Sequence, residues 1–184
     1  IGNWKMFGDI KDFKIINKIN RFYLSTKKQL KKKKIIICVP NTLIHHFKQK
    51  LSNSSILLGA QNCHYQENYG PHTGSVSASM LKKLGAKYII LGHSDNRTDG
   101  DTNEILKKKV YTAVKQDLNV IFCVGESYAE KKKNKTFLIL RKQIKSSLKK
   151  NFDFKKIMIA YEPIWSIGTN NIPKIDELKK IIKF

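Results

Sequence analysis

The chain has 184 residues and a mass of 21.3 kDa, with 41% apolar residues and a formal net charge of +22. That is enough for one domain with a real core. The apolar runs IIIC (35–38), YIILG (88–92) and VIFCV (120–124) fall far short of the roughly 20 residues of a membrane span, and three scattered cysteines exclude a disulfide framework or a Cys-type zinc site.

The charge comes from 33 Lys and only 3 Arg. Base readout favours the planar Arg fork, and the lysines are spread along the whole chain, so the composition argues against a specific nucleic-acid partner. The cysteine usage fits a reducing, cytoplasmic setting. The opening IGNWKM has neither the basic nor the apolar region of a secretory signal.

In chain order, Ile1–Trp4 reads as a first short strand. The lysine run 31–34 reads as a solvated helix end or loop, and Ile35–Val39 as a strand closed by Pro40, followed by a helix over about 42–51. Ile56–Ala60 is the next strand. Residues 75–84 read as a helix stopped by Gly85, a residue suited to the position after a helix. Tyr88–Leu91 is a strand. Asp101 and Glu104 have capping-box spacing, with Asp in place of Ser or Thr. Apolar residues then recur at Ile105, Leu106, Val110, Ala113, Val114 and Leu118, a helical stripe. Val120–Val124 is a strand; the run 131–135 reads as solvated, and a Lys-rich helix covers about 136–150. Ile157–Tyr161 is the sixth strand. Pro173 can open a last helix, with Asp176 and Glu177 in its first turn.

Six short strands, apolar on both sides and each followed by a helical stretch, are the pattern of parallel strands covered by helices. Two architectures have it: a doubly wound open sheet and a (β/α)8 barrel. No glycine-rich phosphate fingerprint follows any strand, as the first class would favour. Polar residues instead follow many different strands: Asn3 and Lys5, Asn62, His93, Glu126, Glu162. A barrel site is assembled in that way, from loops at the C-terminal ends of its strands.

Three segments carry the chemistry: NWKM at 3–6, LGHSD at 91–95 and AYEPIWSIGTN at 160–170. With GAQNCHYQENYGPHTGSVSASMLKKLGAKYIILGHS and IFCVGES between them, in this order, the chain resembles the triosephosphate isomerase family over essentially its whole length. The resemblance implies an α/β TIM barrel, here incomplete with about six units. It implies an isomerase that interconverts dihydroxyacetone phosphate and D-glyceraldehyde 3-phosphate, in glycolysis and gluconeogenesis, with no cofactor and no metal. A proton must move between adjacent carbons beside a carbonyl. That needs a base spanning both carbons, an electrophile on the carbonyl oxygen, and protection of the enediolate from loss of phosphate.

By resemblance, Glu162 is the base, His93 the electrophile, and Lys5 the cation for the phosphate and enediolate, with Asn3 orienting Lys5 and His93. A helix N-terminus beside His93 would favour its neutral form. Pro163, Ile164, Trp165, Ser166, Ile167, Gly168, Thr169 and Asn170 form the family's lid, with a Gly168 N–H for the substrate phosphate. Ser94, Asp95, Cys123 and Glu126 support the site. Gln61, Asn62, Tyr69, Gly70, Thr73 and Gly74 fall in the loop that reaches into a partner, which implies a homodimer when full length. No membrane partner is implied.

The chain departs from the family pattern in two ways. GHSDNR stands where the family reads GHSERR, so Asp95 is one methylene short of Glu and Asn96 lacks a guanidinium; Asn170 also replaces a lid glycine. These changes are expected to alter the rate rather than the identity. The chain also ends after its sixth unit, whereas an eight-unit barrel takes about 250 residues. The resemblance therefore implies one domain over 1–184, clipped at its start and truncated at its end. It implies an open six-stranded arc, weakly stable and poorly active by itself, lacking the last loops that hold phosphate. The competing reading is a non-catalytic barrel serving as a basic binding module.

Overall fold

A computed structural model describes residues 1–26, 28, 33–51 and 54–184. Six parallel strands form one sheet in sequence order: β1 (Gly2–Asn3), β2 (Ile35–Cys38), β3 (Ile56–Ala60), β4 (Tyr88–Leu91), β5 (Asn119–Val124) and β6 (Ile157–Tyr161). The helices are α1 (Phe13–Ser25), α2 (Asn41–Lys50), α3 (Ala78–Leu84), α4 (Ser94–Thr98), α5 (Asn103–Lys115), α6 (Tyr128–Lys132), α7 (Thr136–Ser147) and α8 (Ile175–Lys183). Among the described residues β1 and β6 do not pair, so the sheet is a curled, open part of a barrel.

Successive strand residues point to opposite faces, and both faces are apolar. Ile37, Val39, Ile89, Leu91, Val120 and Phe122 join the large core under the helices. Ile36, Cys38, Tyr88, Ile90, Ile121 and Cys123 form a second cluster on the concave face, which is the barrel interior. This double burial is why the strands read as unbroken apolar runs.

Local chemistry sets the helix ends, and here some sequence expectations give way. The helix expected over 75–84 begins at Ala78. Val76 is taken up by a backbone bond from the His64 N–H (2.8 Å), and Ser77 then caps the helix by accepting from the Met80 N–H. Gly85 ends it at φ 103°, where a side chain would be strained and would meet Lys48. The capping role expected of Asp101 falls to Thr102, whose hydroxyl accepts from the Ile105 N–H. Asp101 instead forms a buried ion pair with Lys109 at 2.6 Å.

The run 131–135 is a helix end and loop as expected, with residues 132–135 exposed. Lys131 and Lys132 end α6, a helix that the sequence reading lacked and that a Ser127–Glu130 capping box opens. The last helix starts at Ile175, two residues after Pro173, with Asp176 and Glu177 in its first turn. Of the run 31–34, Lys31 and Lys32 lie outside the described residues, while Lys33 and Lys34 are exposed. At the opposite end of the strands from the candidate site, Asp117 (φ 57°) pairs with Lys82 and Lys156. Hydrogen bonds from the two ammonium groups hold its carboxyl well below the usual range.

Candidate active site

Parallel strands all deliver their following loops to one rim. Asn3 and Lys5 follow β1, Gln61 and Asn62 follow β3, His93 follows β4, Glu126 follows β5 and Glu162 follows β6. Lys5 is fixed by its backbone. At φ 51° it sits in the left-handed region, a conformation costing a non-glycine residue about 1 kcal/mol. The Asn3 side-chain oxygen accepts the Lys5 N–H at 2.9 Å, and the Gln61 amide donates to the Lys5 carbonyl at 2.8 Å. The ammonium then reaches the Asp95 carboxylate at 3.1 Å.

His93 is the N-cap of α4, and its Nδ1 accepts the Asp95 N–H at 3.2 Å. A nitrogen that accepts carries no proton, so this backbone contact favours the tautomer with the ring proton on Nε2. Nε2 faces Glu162 Oε1 at 2.8 Å. An Asp95 carboxylate oxygen lies 3.4 Å from the same Nδ1 and would favour a proton there instead. The backbone contact is the shorter of the two.

Glu162 is half-buried. Its carboxylate also accepts the Ser94 N–H (3.1 Å) and hydroxyl (3.2 Å). Burial raises its pKa, but the hydrogen bonds from His93 and Ser94 outweigh that and hold it below the ordinary 4.5. The backbone behind it is crowded: a Cβ on Gly125 would collide with the Glu162 carbonyl oxygen, so only glycine permits this approach. A cleft of about 310 Å³ lies beside Asn3, Lys5, Gln61, His93 and Asp95. The structure thus brings Asn3, Lys5, His93, Ser94, Asp95 and Glu162 to one mouth. The Asn3 side chain bonds Lys5 and Gln61, and none of its hydrogen bonds among the described residues goes to His93.

Glu126 is fully buried and bonds the segment that follows β6. It accepts from the Tyr161 hydroxyl (3.0 Å) and Trp165 Nε1–H (2.9 Å), so the carboxylate is satisfied without an ion pair. Burial and the Glu126 charge push the Tyr161 hydroxyl up, which keeps it a donor. Cys123 lies on the concave face, and burial, helped by Glu162, pushes its thiol up to about 12; it packs rather than reacts.

Pro163 leads into a single turn at Ile164–Ser166, and Gly168 takes φ 65°. The Ser166 hydroxyl donates to the Asn171 carbonyl at 2.7 Å, and the Thr169 hydroxyl to the Trp165 carbonyl at 3.1 Å, so this segment is folded onto itself. Asn170 is exposed and does not take a positive φ.

The loop after β3 divides. Gln61 and Asn62 lie at its root, where Asn62 accepts from Lys109 at 3.0 Å. Tyr69, Gly70, Thr73 and Gly74 are exposed on its outer part. The sequence reading missed the contact of Gln61 with Lys5, the crowding at Gly125 and the support from Tyr161. Tyr161 and Gly125 stand beside recognised motif residues, but nothing in local spacing announces what they touch.

The family model described as triosephosphate isomerase matches residues 1–184. A curated triosephosphate isomerase of Bartonella quintana (strain Toulouse) is 40% identical over 173 residues, spanning 94% of this chain and 67% of its own length. That of Alkaliphilus oremlandii (strain OhILAs) is 35% identical, spanning all of this chain and 73% of its own. The crystal structure of triosephosphate isomerase from Bartonella henselae superposes with a TM-score of 0.86 at 36% identity, over 98% of this chain and 70% of that one.

Proposed function

The chain belongs to the triosephosphate isomerase family, and from that premise we propose that its site interconverts dihydroxyacetone phosphate and D-glyceraldehyde 3-phosphate through an enediolate. The observation that carries the reading is the direct approach of Glu162 to His93 Nε2, 2.8 Å, with Lys5 on the same mouth. Glu162 has two oxygens on a movable stem. It takes the proton from one carbon and returns it to its neighbour. His93 Nε2–H donates to the carbonyl oxygen as that oxygen gains charge.

Base and electrophile touch each other here, so substrate must part them. Glu162 is attached to the Pro163–Trp165 hinge and leaves Ser94 and His93 as the lid moves. Lys5 then faces the phosphate and the enediolate, with Asn3 and Gln61 fixing its backbone. Closure brings the Gly168 N–H to the phosphate and keeps water from the enediolate. The same reading places the protein in glycolysis and gluconeogenesis, as a cytoplasmic homodimer needing neither metal nor cofactor. Among the described residues no helix is long and apolar enough to cross a membrane.

The test is exchange in D2O. Deuterium should enter the carbon-bound position of the triose phosphate faster with the chain than without it, and both isomers should appear. An exchange rate equal to the protein-free rate would sink the proposal.

Asp95 supplies a sharper expectation. Its carboxylate stands between Lys5 and His93 Nδ1 and competes for that nitrogen with the backbone N–H. Asp95→Glu reaches Lys5 from a longer stem and releases Nδ1. It is expected to raise kcat by about 2- to 10-fold, the scale of one net hydrogen bond. The ¹⁵N shifts of the His93 ring should move toward the Nε2–H tautomer. An unchanged ring and rate would show that Asp95 does not bias His93.

A further inference from the structure

Trp165 is the bulky residue of the lid hinge, and three groups hold it. The Ile164 N–H bonds the Glu126 carbonyl at 3.2 Å, and Trp165 Nε1–H bonds the Glu126 carboxylate at 2.9 Å. The third is Lys131, at the end of α6. Its ammonium lies 3.6 Å from the centre of the Trp165 ring, the closest cation–ring approach among the described residues. The same ammonium is bonded to Glu177, in the first turn of α8, at 3.0 Å.

The indole edge is therefore fixed by an acceptor and its face by a cation, and the cation is itself held by a carboxylate on a neighbouring element. Beside this cluster a cavity of about 470 Å³ is bounded by Glu126, Lys131, Tyr161, Pro173 and Glu177.

We propose that Lys131 is a positioning residue for the lid: held by Glu177, its ammonium keeps the Trp165 ring seated and makes hinge movement depend on the placement of α8. The assignment rests on the reading of Pro163–Asn170 as a lid. Unseating the ring breaks the Glu126 bond and the cation–ring contact together, so Lys131 adds weight to the resting state that Glu126 alone would not supply. Lys131 touches none of the reacting groups; it acts only through Trp165.

The test reads the ring rather than turnover. In the full chain with Trp4→Phe, Trp165 is the sole indole. Lys131→Met keeps most of the stem and removes the charge. It should raise acrylamide quenching of Trp165 and the exchange rate of its indole N–H by roughly 3- to 10-fold, the range of a half-exposed cation–ring contact. Lys131→Arg should return both to within about twofold of the parent. Glu177→Gln, which leaves Lys131 and Trp165 intact, should fall between the two.

Parental values in Lys131→Met would overturn the proposal. So would equal increases in the Met and Arg variants, because shape rather than charge would then be responsible. If Lys131→Met does not fold, Glu177→Gln decides: increased exchange supports the tether and unchanged exchange refutes it. Since none of this needs catalysis, a chain that shows the expected quenching but no isomerisation refutes the isomerase and lid readings and leaves only the seating of the Trp165 ring by Lys131.

Discussion

Glu162→Gln is expected to abolish nearly all proton exchange into triose phosphate, a loss of about 10³- to 10⁴-fold, the upper part of the range for one general base. The amide keeps the volume and can still meet Ser94, so circular dichroism should not change. It has no lone pair basic enough to take a carbon-bound proton. Deuterium incorporation is the measurement; a loss of less than tenfold would mean that another group is the base.

The pH dependence follows from the same contacts. Hydrogen bonds from His93 and Ser94 hold the native carboxyl below its ordinary 4.5 despite burial. A base in that state stays ionised well into acid, so the acid limb of kcat/KM should lie below pH 4.5. The linkage has a definite sign. A group with a depressed native pKa adds stability above its unfolded pKa, and that stability is lost as pH falls through the native value. Glu162 and Asp117 both act in this direction, so acid should unfold the chain from below about pH 4.5. Glu162→Gln should remove one part of that slope.

Much of this fold is legible because parallel strands need so little context. The strands at 35–38, 56–60, 88–91, 119–124 and 157–161 fall within one residue of the apolar runs that announce them, since both faces must be buried. The errors arise where a side chain had a distant alternative. Asp101 had the spacing of a cap but found Lys109, and Thr102 took over the helix end. Val76 had a helical pattern but was taken by a backbone partner across the loop, at His64.

The site is a matter of distant pairs throughout. His93 and Glu162 are 69 positions apart, and no periodicity joins them; the family resemblance alone linked them in the sequence. Gln61 reaches Asn3 and Lys5 across β2, and Lys131 reaches Trp165 across β6 in the chain. Those contacts follow from strand order and curvature, which local spacing does not encode.

Joining the last two βα units of the Bartonella henselae relative to the end of this chain should raise isomerase activity by about 10³-fold or more. The reason lies in what the sixth strand exposes. On β5, Ile121 and Phe122 are 2% and 0% exposed; on β6, Met158 and Ile159, which pair with them, are 44% and 45% exposed. One of these faces the barrel interior and the other the helix layer, so both sides of β6 await cover. On α8, Ile182 is 81% exposed. Two more units would cover these residues, pair the free edges of β1 and β6, and remove an aggregation-prone boundary.

The family resemblance also implies that the added loops bring backbone N–H groups to the phosphate. Two such donors to a charged group, each worth about 2 kcal/mol, make up the roughly 4 kcal/mol of a 10³-fold rise. Closure can be checked apart from catalysis, because the urea slope grows with the surface exposed on unfolding. A steeper slope with no gain in activity would refute the phosphate argument while leaving the architecture intact. An unchanged slope would mean that these six units do not accept the others, and that the exposed face of β6 serves something else.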